Sequence, residues 1–255
     1  MDEEMNSMII EQIHSEFPEL PNAFDDDYVK REIAWYNAPK DYDEGEVRLI
    51  NKPLVGRVDD YLNVNVRIDE SLVVPVFFVD GTLFMSLTPM EVQSAAFAIF
   101  CAHGDVATAG LGMGYFALKC AAKDSVTKVT VYEQSEDVIK YFNDHFSDRE
   151  GFEKIEIVHG DARETLRERA HGFLYVDTYA DMTNEEIAPD IELYASENEI
   201  SEYWFWGIER VILSALVNGQ IDSYDIPREM QLYFAMWQQT EAAQMRFDAS
   251  DDDYC

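Results

Sequence analysis

Residues 106–118, VATAGLGMGYFAL, decide how this chain folds. A short apolar run leads into three glycines at alternate positions, Gly110, Gly112 and Gly114, and an apolar segment of helical character follows. Glycine accepts the unusual dihedral angles of a tight strand-to-helix turn and lets another group approach the backbone closely. The stretch therefore predicts a buried strand, a bare turn, and a helix whose first N–H groups are available to an anion.

The same alternation continues on both sides of this stretch. MEVQSAAFAIFCA ahead of it predicts a helix, and after it the runs KVTVYE, KIEIVH and FLYVD predict strands. Between them, YFALKCAA, SEDVIKYFNDHF and RETLRERA have helical character, with Ser135 as a cap. Strands separated by helices of this length form right-handed crossovers. We therefore predict an α/β fold with a doubly wound, mostly parallel, Rossmann-like sheet and helices on both faces.

The residues before this alternation show a different sequence pattern. Helices are expected at residues 1–20 and from Asp25 onward, with Asp27 as a cap. VGRVDDYLNVNVRI alternates as a half-buried strand does, and LVVPVFFVDGTLFMSL predicts two strands that meet in a hairpin at Asp80 and Gly81. The predicted organisation is an N-terminal helical and β-hairpin extension at 1–88, a Rossmann-like cofactor-binding domain with a helix-rich C-terminal part at 89–246, and an acidic tail at 247–255.

The pattern weakens after Asp177. Residues 181–202 contain eight acids and no Lys or Arg, and we expect this block to be exposed. Beyond it, YWFWGIERVILSALV and REMQLYFAMWQQTEAAQM look more helical than extended. Before this block, Arg163, Arg167 and Arg169 form a small basic group, which we expect on the solvated face of one helix.

Acidic residues follow three of the predicted strands, at the edge where an open parallel sheet binds its ligands. Glu133 comes 19 residues after Gly114 and can accept hydrogen bonds from a ribose diol. Asp161 could bind an amino group or cap the helix that follows it. Asp177 could accept a proton, hold a cationic substrate, or serve as a structural carboxylate. The glycines themselves could also serve plain packing between helix and strand.

Taken in order, these four motifs resemble those of class I S-adenosylmethionine-dependent methyltransferases. The motifs are VATAGLGMGYFAL, VTVYEQSEDVIKYF, IEIVHGDARETL and FLYVDTYAD, within residues 100–182. The resemblance implies that S-adenosylmethionine is the cofactor, and for such an enzyme we expect Asp177 and Tyr179 to orient the acceptor. The cofactor-binding residues that it implies are Gly110, Gly112, Met113 and Gly114 at the turn, Glu133 and Gln134 at the ribose, and Asp161 and Ala162 at the adenine.

A weaker resemblance is to spermidine synthases. VDGTLFMSLTPMEVQS is similar to the strand pair and helix that precede their cofactor site, and Asp177 matches their base in an Asp-rich loop. Phe84, however, stands where that family places a cofactor-binding Gln. We therefore rank aminopropyl transfer below methyl transfer.

Charge narrows the choice of partner. With 51 acids against 19 Lys and Arg, the formal net charge is −32, and such a field repels nucleic-acid phosphates. High-salt adaptation, attraction of a cationic substrate, and imitation of nucleic acid toward a basic protein partner all remain open. His and Cys show no metal-binding spacing, so we expect no metal.

No apolar stretch is long enough to cross a membrane, and neither a secretory signal nor a disulfide framework is recognised, so we expect a cytoplasmic protein. A homo-oligomer stays open. The sequence thus predicts a methyltransferase for a small or cationic acceptor, an amine or oxygen nucleophile. The alternatives are a spermidine-synthase-like aminopropyltransferase and a catalytically inactive acidic binding protein on the same fold.

Overall fold

The computed structural model describes residues 11, 15–59, 61, 62, 65–179 and 187–238, and for 55–59 and 65–71 it describes the backbone alone. Of the helix expected at 1–20, residues 1–10 and 12–14 lie outside the described residues, and the acidic tail at 247–255 lies entirely outside them. The division at 88 and 246 stays a prediction.

A four-stranded antiparallel sheet forms the N-terminal part of the described chain. It follows helix α1 (Asp26–Tyr36) and has the order β1 (Tyr42–Glu44), β2 (Val47–Asp59), β3 (Asn65–Val79) and β4 (Thr82–Ser86). The hairpin expected at Asp80 and Gly81 is confirmed: their φ angles are 51° and 70°, the positive pair that a type I′ turn requires.

Two details of this region differ from the sequence-based predictions. Asp25, not Asp27, caps α1, because Asp25 has extended backbone angles and its carboxylate accepts a hydrogen bond from the Asp27 N–H at 3.0 Å. The alternation in VGRVDDYLNVNVRI is shared by two antiparallel strands, not one. The chain reverses between Asp59 and Asn65, and these two residues pair with each other.

The second sheet is entirely parallel and has five strands. They are β5 (Gly104–Ala109), β6 (Val126–Glu133), β7 (Ile155–His159), β8 (Ala170–Val176) and β9 (Glu199–Phe205), in the spatial order β7-β6-β5-β8-β9. The chain therefore winds in one direction from β5 to β7 and in the other from β8 to β9. This confirms the predicted α/β class and places the reversal between β5 and β8.

Helices cover both faces of this sheet. They are α2 (Pro89–Cys101), α3 (Tyr115–Ala121), α4 (Glu136–Phe146), α5 (Ala162–Thr165), α6 (Ile187–Glu197), α7 (Ile208–Val217) and α8 (Arg228–Gln238). Alternate strand residues enter two cores: Phe173 and Tyr175 pack on the side of α2 to α4, and Leu174 and Val176 pack on the side of α5 to α7. The first core also includes residues of the antiparallel sheet, such as Phe77.

The C-terminal part contains a strand that the sequence pattern did not predict. Tyr203 to Phe205 end β9, and Gly207, with a φ of 88°, precedes the helix that begins at Ile208. The sequence pattern predicts a helix for this bulky, continuous aromatic run. In the structure its residues alternate between the two faces of the sheet: Trp204 packs in the first core and Tyr203 in the other. The segments RVILSALV and QLYFAMW are helical, so within the described chain no antiparallel hairpin follows β9.

Candidate cofactor and acceptor site

The glycine turn lies at the carboxyl end of β5, beside the reversal of the sheet. Gly110, Gly112 and Gly114 have φ angles of 94°, 53° and 83°, all in the region that side chains disfavour. Gly114 is also the N-cap of α3. The predicted turn between strand and helix is therefore present, with backbone angles that call for glycine at all three positions.

The protein's own atoms fill the space above each of these glycines. A side chain at any of the three positions would collide with a neighbour. The neighbours come from three elements: the backbone carbonyl of Asp177 at Gly110, the sulfur of Met85 at Gly112, and the ring of Phe142 at Gly114. Close packing therefore accounts for the bare backbone at Gly110 and Gly114, whereas Gly112 meets the end of a flexible side chain.

Met113, between the last two glycines, forms hydrogen bonds with two residues of the N-terminal region. Its N–H donates to the sulfur of Met85 at 3.1 Å, and its carbonyl accepts from the hydroxyl of Tyr36 at 2.8 Å. Met113 itself is fully buried. The sequence reasoning missed both partners. For Met85, the available signal was its place after the Asp80–Gly81 turn, in a strand that leads directly to α2.

Glu133 connects the glycine turn to the next strand. It ends β6 and is 8% exposed, and its two carboxylate oxygens accept backbone N–H groups from Leu111 at 3.0 Å and from Ser135 at 2.8 Å. Gln134, which follows it, is exposed. The predicted ribose ligand is therefore beside the glycine turn, and it also fastens that turn in place.

Asp161 and Ala162 lie one strand further out, after β7. Asp161 is exposed and caps the short helix α5, since its carboxylate accepts from the Arg163 N–H at 2.9 Å. Ala162 is buried. Of the two roles that the sequence left open for Asp161, the structure shows the cap, and its exposed carboxylate leaves the other role available.

Asp177 lies on the opposite side of the glycine turn from Glu133. Its N–H donates to the carbonyl of Ala109 at 3.0 Å, and its own carbonyl packs against Gly110. Burial raises the pKa of the Asp177 carboxyl above its ordinary value. This is the position at the end of β8 that the sequence predicted for a base or a cation-binding group.

A second acid beside Asp177 was missed from the sequence. Glu91, in the first turn of α2, is 9% exposed, and its pKa is raised by burial and by the charge of Asp177. The available signal was a single acid within the otherwise apolar helix MEVQSAAFAIFCA. The buried carboxyl group of Glu91 and the half-buried one of Asp177 therefore interact electrostatically next to the glycine turn.

Tyr179 is directed toward a different partner. Its hydroxyl donates to the carboxylate of Asp190 at 3.0 Å, and the guanidinium of Arg163 binds the same carboxylate through two contacts of 3.1 Å. Asp190 is buried, so the expectation that residues 181–202 are exposed is wrong at this position. The error arises because Asp190 neutralises Arg163, which the sequence placed on a solvated face.

A separate cavity of about 690 Å³ lies at the opposite, amino-terminal edge of the parallel sheet. His171 on its wall has hydrogen-bond contacts with the carboxylate of Asp105 at 2.8 Å and the hydroxyl of Tyr132 at 3.1 Å.

The described residues contain no group of three or more His, Cys, Asp or Glu that could hold a metal ion. Among the described helices, none is long and apolar enough to span a membrane.

Comparisons with known proteins give partial likenesses to solved structures. Precorrin 8w decarboxylase from Methanobacterium thermoautotrophicum aligns at 18% identity over 53% of this chain and 74% of its own, with a TM-score of 0.37. The glycopeptide N-methyltransferase MtfA, complexed with S-adenosyl-L-homocysteine, aligns at 18% identity over 44% of this chain and 46% of its own, with a TM-score of 0.36.

The CcbJ methyltransferase from Streptomyces caelestis aligns at 17% identity over 44% of this chain and 49% of its own, with a TM-score of 0.35. This chain thus spans about half the length of the two methyltransferases. No family model matches the chain, and no curated protein sequence matches it. At these identities and TM-scores the likenesses carry no argument about activity, which has to come from the site itself.

Proposed function

We propose that this chain is an S-adenosylmethionine-dependent methyltransferase that acts on a small or cationic acceptor, an amine or oxygen nucleophile, and not on nucleic acid. One observation carries the proposal: the Gly110–Gly114 turn and Glu133 lie on one side of the sheet reversal, and Asp177 lies on the other. Open α/β sheets bind nucleotides and related ligands at this reversal, outside the carboxyl ends of the strands.

The residues fit the adenosine part of the cofactor. Glu133 has a lone pair left on each oxygen after its two backbone hydrogen bonds, which suffices for a ribose hydroxyl. The exposed groups of Gln134 and Asp161 lie along the same edge, where the adenine would be held beside Ala162. The amino-acid tail would pass over Gly112, and this requires the flexible side chain of Met85 to move aside.

The chain's own residues would position the acceptor. When bound, the cofactor would supply an electrophilic methyl group, whose bond to sulfur breaks as the bond to the acceptor forms. Asp177, with its raised pKa, can hold a proton released near neutral pH. In such a transfer, most of the rate enhancement would come from holding the two reactants in alignment.

Charge supports the choice of acceptor. A formal net charge of −32 raises the local concentration of cations and opposes phosphate backbones. The carboxyl groups of Glu91 and Asp177 beside the glycine turn support the same preference at short range.

Transfer of a tritium-labelled methyl group from S-adenosylmethionine tests this function. Amines, small phenols and proteins are offered as acceptors, with duplex DNA as the contrasting one. We expect transfer to an amine or phenol and none to DNA. Transfer to DNA alone would refute the acceptor class. Transfer only from decarboxylated S-adenosylmethionine that carries the label in its aminopropyl group would favour aminopropyl transfer.

A second function is supported by the contact of Met85 with Gly112. If this side chain holds its place, the chain is a binding protein on the same fold, and its acidic surface engages a basic protein partner. Binding to a basic protein that weakens steeply with salt, together with no affinity for adenosylmethionine or adenosylhomocysteine, would distinguish this function from the first.

A further inference from the structure

The buried acids of this protein divide into two groups. Five acidic side chains in the described chain are at most 9% exposed, and four of them accept hydrogen bonds from donors of the chain. The four are Glu32 with Tyr115 and Lys119, Glu133 with two backbone N–H groups, Asp190 with Arg163 and Tyr179, and Glu209 with Tyr61 and Trp204. Glu91 is the fifth, and within the described chain its carboxylate accepts none.

Asp177 is half-buried, and its carboxylate likewise accepts no hydrogen bond from the residues that the structure describes. Burial is the cause of its raised pKa, with no donor to offset it, and Glu91 is affected by burial and by Asp177 alone. Across the residues that the structure describes, neither carboxylate forms an ion pair. Burying a charged group without a partner is costly, so acids in such places are normally paired.

The hydroxyl of Tyr175 is a third unpartnered group in the same place. Tyr175 lies two residues before Asp177, on the same face of β8, and its ring stacks on Phe116 with centroids 4.2 Å apart. The side chain is 1% exposed, and its hydroxyl oxygen has no hydrogen-bond partner within the described chain. Burial raises the pKa of Tyr175 well above its ordinary value, and the charges of Asp177 and Glu91 raise it further, so both carboxyl groups lie within electrostatic range of the hydroxyl.

The chemistry of this set selects one kind of ligand. Two carboxylates and a hydroxyl oxygen can accept three hydrogen bonds and balance a positive charge, and an alkylammonium group offers three N–H donors and one such charge. A metal ion is disfavoured, since no third metal ligand joins the pair in the described chain. Asp177 also packs against Gly110, so a ligand here would lie beside the turn.

We propose that Glu91, Asp177 and Tyr175 form the binding site for the ammonium group of an amine substrate. The inference rests on the proposed function in making this amine the acceptor, but binding of the amine can be measured alone. Glu91 belongs to α2, Tyr175 to β8, and Asp177 directly follows β8, so the site lies between a helix and the sheet.

Calorimetric titration with alkylammonium chlorides from ethyl to hexyl, at pH 8 and constant ionic strength, tests the site. We expect saturable one-to-one binding that Glu91→Gln weakens about tenfold or more, as loss of a charge-assisted hydrogen bond predicts. The matched control is Glu202→Gln, which removes the same charge from another partly buried acid, on β9, whose pKa is also raised by burial. Its amine affinity should equal that of the wild type.

Two further readouts keep the test independent of the folding of one variant. In wild-type protein at pH 7, amine binding should release protons from the carboxyl pair, so the measured enthalpy should vary with the ionisation enthalpy of the buffer. Tetramethylammonium, which carries the charge without N–H donors, should bind at least about tenfold more weakly than ethylammonium.

Equal losses in Glu91→Gln and Glu202→Gln would overturn the site and leave only general charge attraction. Absence of saturable binding by every alkylammonium ion tested would overturn it as well. A separate titration with adenosylhomocysteine distinguishes the failures: if the nucleoside binds and amines do not, the site is wrong and the cofactor assignment stands. If amines bind and the nucleoside does not, the proposed methyltransferase is wrong.

Discussion

Glu133 and Glu91 are both buried glutamates at the carboxyl end of the parallel sheet, yet their surroundings are opposite. The carboxylate of Glu133 accepts two backbone N–H groups, whereas the carboxylate of Glu91 accepts no hydrogen bond within the described chain and interacts with the charge of a second acid. A satisfied acid stabilises the turn that it joins, and an unsatisfied one lowers stability until something binds it. Glu133 therefore serves the structure of the turn, whereas the carboxylate of Glu91 is available to a ligand.

The largest effect is expected where the turn is packed most closely. Gly114→Ala would put a methyl group into the ring of Phe142 at a φ of 83°, so it should lower the free energy of unfolding by about 4 kcal/mol. Gly81→Ala is the control: its φ is also positive at 70°, but nothing lies within 4 Å, and it should cost about 1 kcal/mol. Urea denaturation of both variants measures this, and equal costs would show that the turn is not tightly filled.

The second largest loss of stability is expected when Glu133 is replaced. Glu133→Ala leaves the N–H groups of Leu111 and Ser135 without their acceptor and should destabilise the protein by about 3 kcal/mol. Glu133→Gln keeps one carbonyl oxygen and should cost less than half of that. If the alanine and glutamine variants unfold at the same denaturant concentration, Glu133 does not fasten the turn.

Replacing Glu91, the acid without a hydrogen-bond donor, should raise the free energy of unfolding instead of lowering it. The folded-state pKa of Glu91 is raised, so the folded protein binds more protons than the unfolded chain above about pH 4, and stability falls as pH rises through the raised pKa. Glu91→Gln should therefore be more stable than wild type by about 2 kcal/mol at pH 8.

This gain should shrink toward zero as the pH falls to 5, where the wild-type carboxyl group is protonated as well. Thermal unfolding of both proteins across this range measures the difference. A variant that is less stable than wild type at pH 8 would mean that Glu91 has a partner, and the contrast with Glu133 would disappear.

The smallest effect concerns the side chain that covers Gly112. Met85→Ala should raise the affinity for adenosylhomocysteine about threefold to tenfold, because binding no longer has to displace the thioether. Phe84→Ala is the neighbouring control, since Phe84 is 58% exposed and should not affect the affinity. Calorimetry compares the two, and an unchanged affinity in Met85→Ala would show that Met85 does not obstruct the cofactor.

Much of the fold could be predicted from local patterns. The glycine turn, the alternation of strands and helices, the cap at Ser135 and the hairpin at Asp80 and Gly81 are set by residues close together in the chain, and the structure confirms them. The strand β9 was missed because an aromatic run shows no polar alternation when both faces are buried.

Only part of the candidate site could be predicted, because some of its residues come from distant parts of the sequence. Glu133, Asp161 and Asp177 follow strands, so the topology of the sheet places them at one edge. Glu91 and Met85 reach that edge from α2 and β4, and sequence spacing carries no information about such long-range contacts. The burial of Asp190 was missed in the same way, because its partner Arg163 lies in another helix.

The proposed function requires that a nucleoside binds across the sheet reversal, between Glu133 and Asp177. Equilibrium titration of the folded protein with adenosylhomocysteine measures this binding. One-to-one binding with a dissociation constant of about 1 to 100 μM, in the range usual for enzyme ligands, is the predicted result, and it should weaken in Glu133→Gln. The absence of binding to wild type and Met85→Ala alike, at ligand concentrations of about 1 mM, would contradict the proposed function.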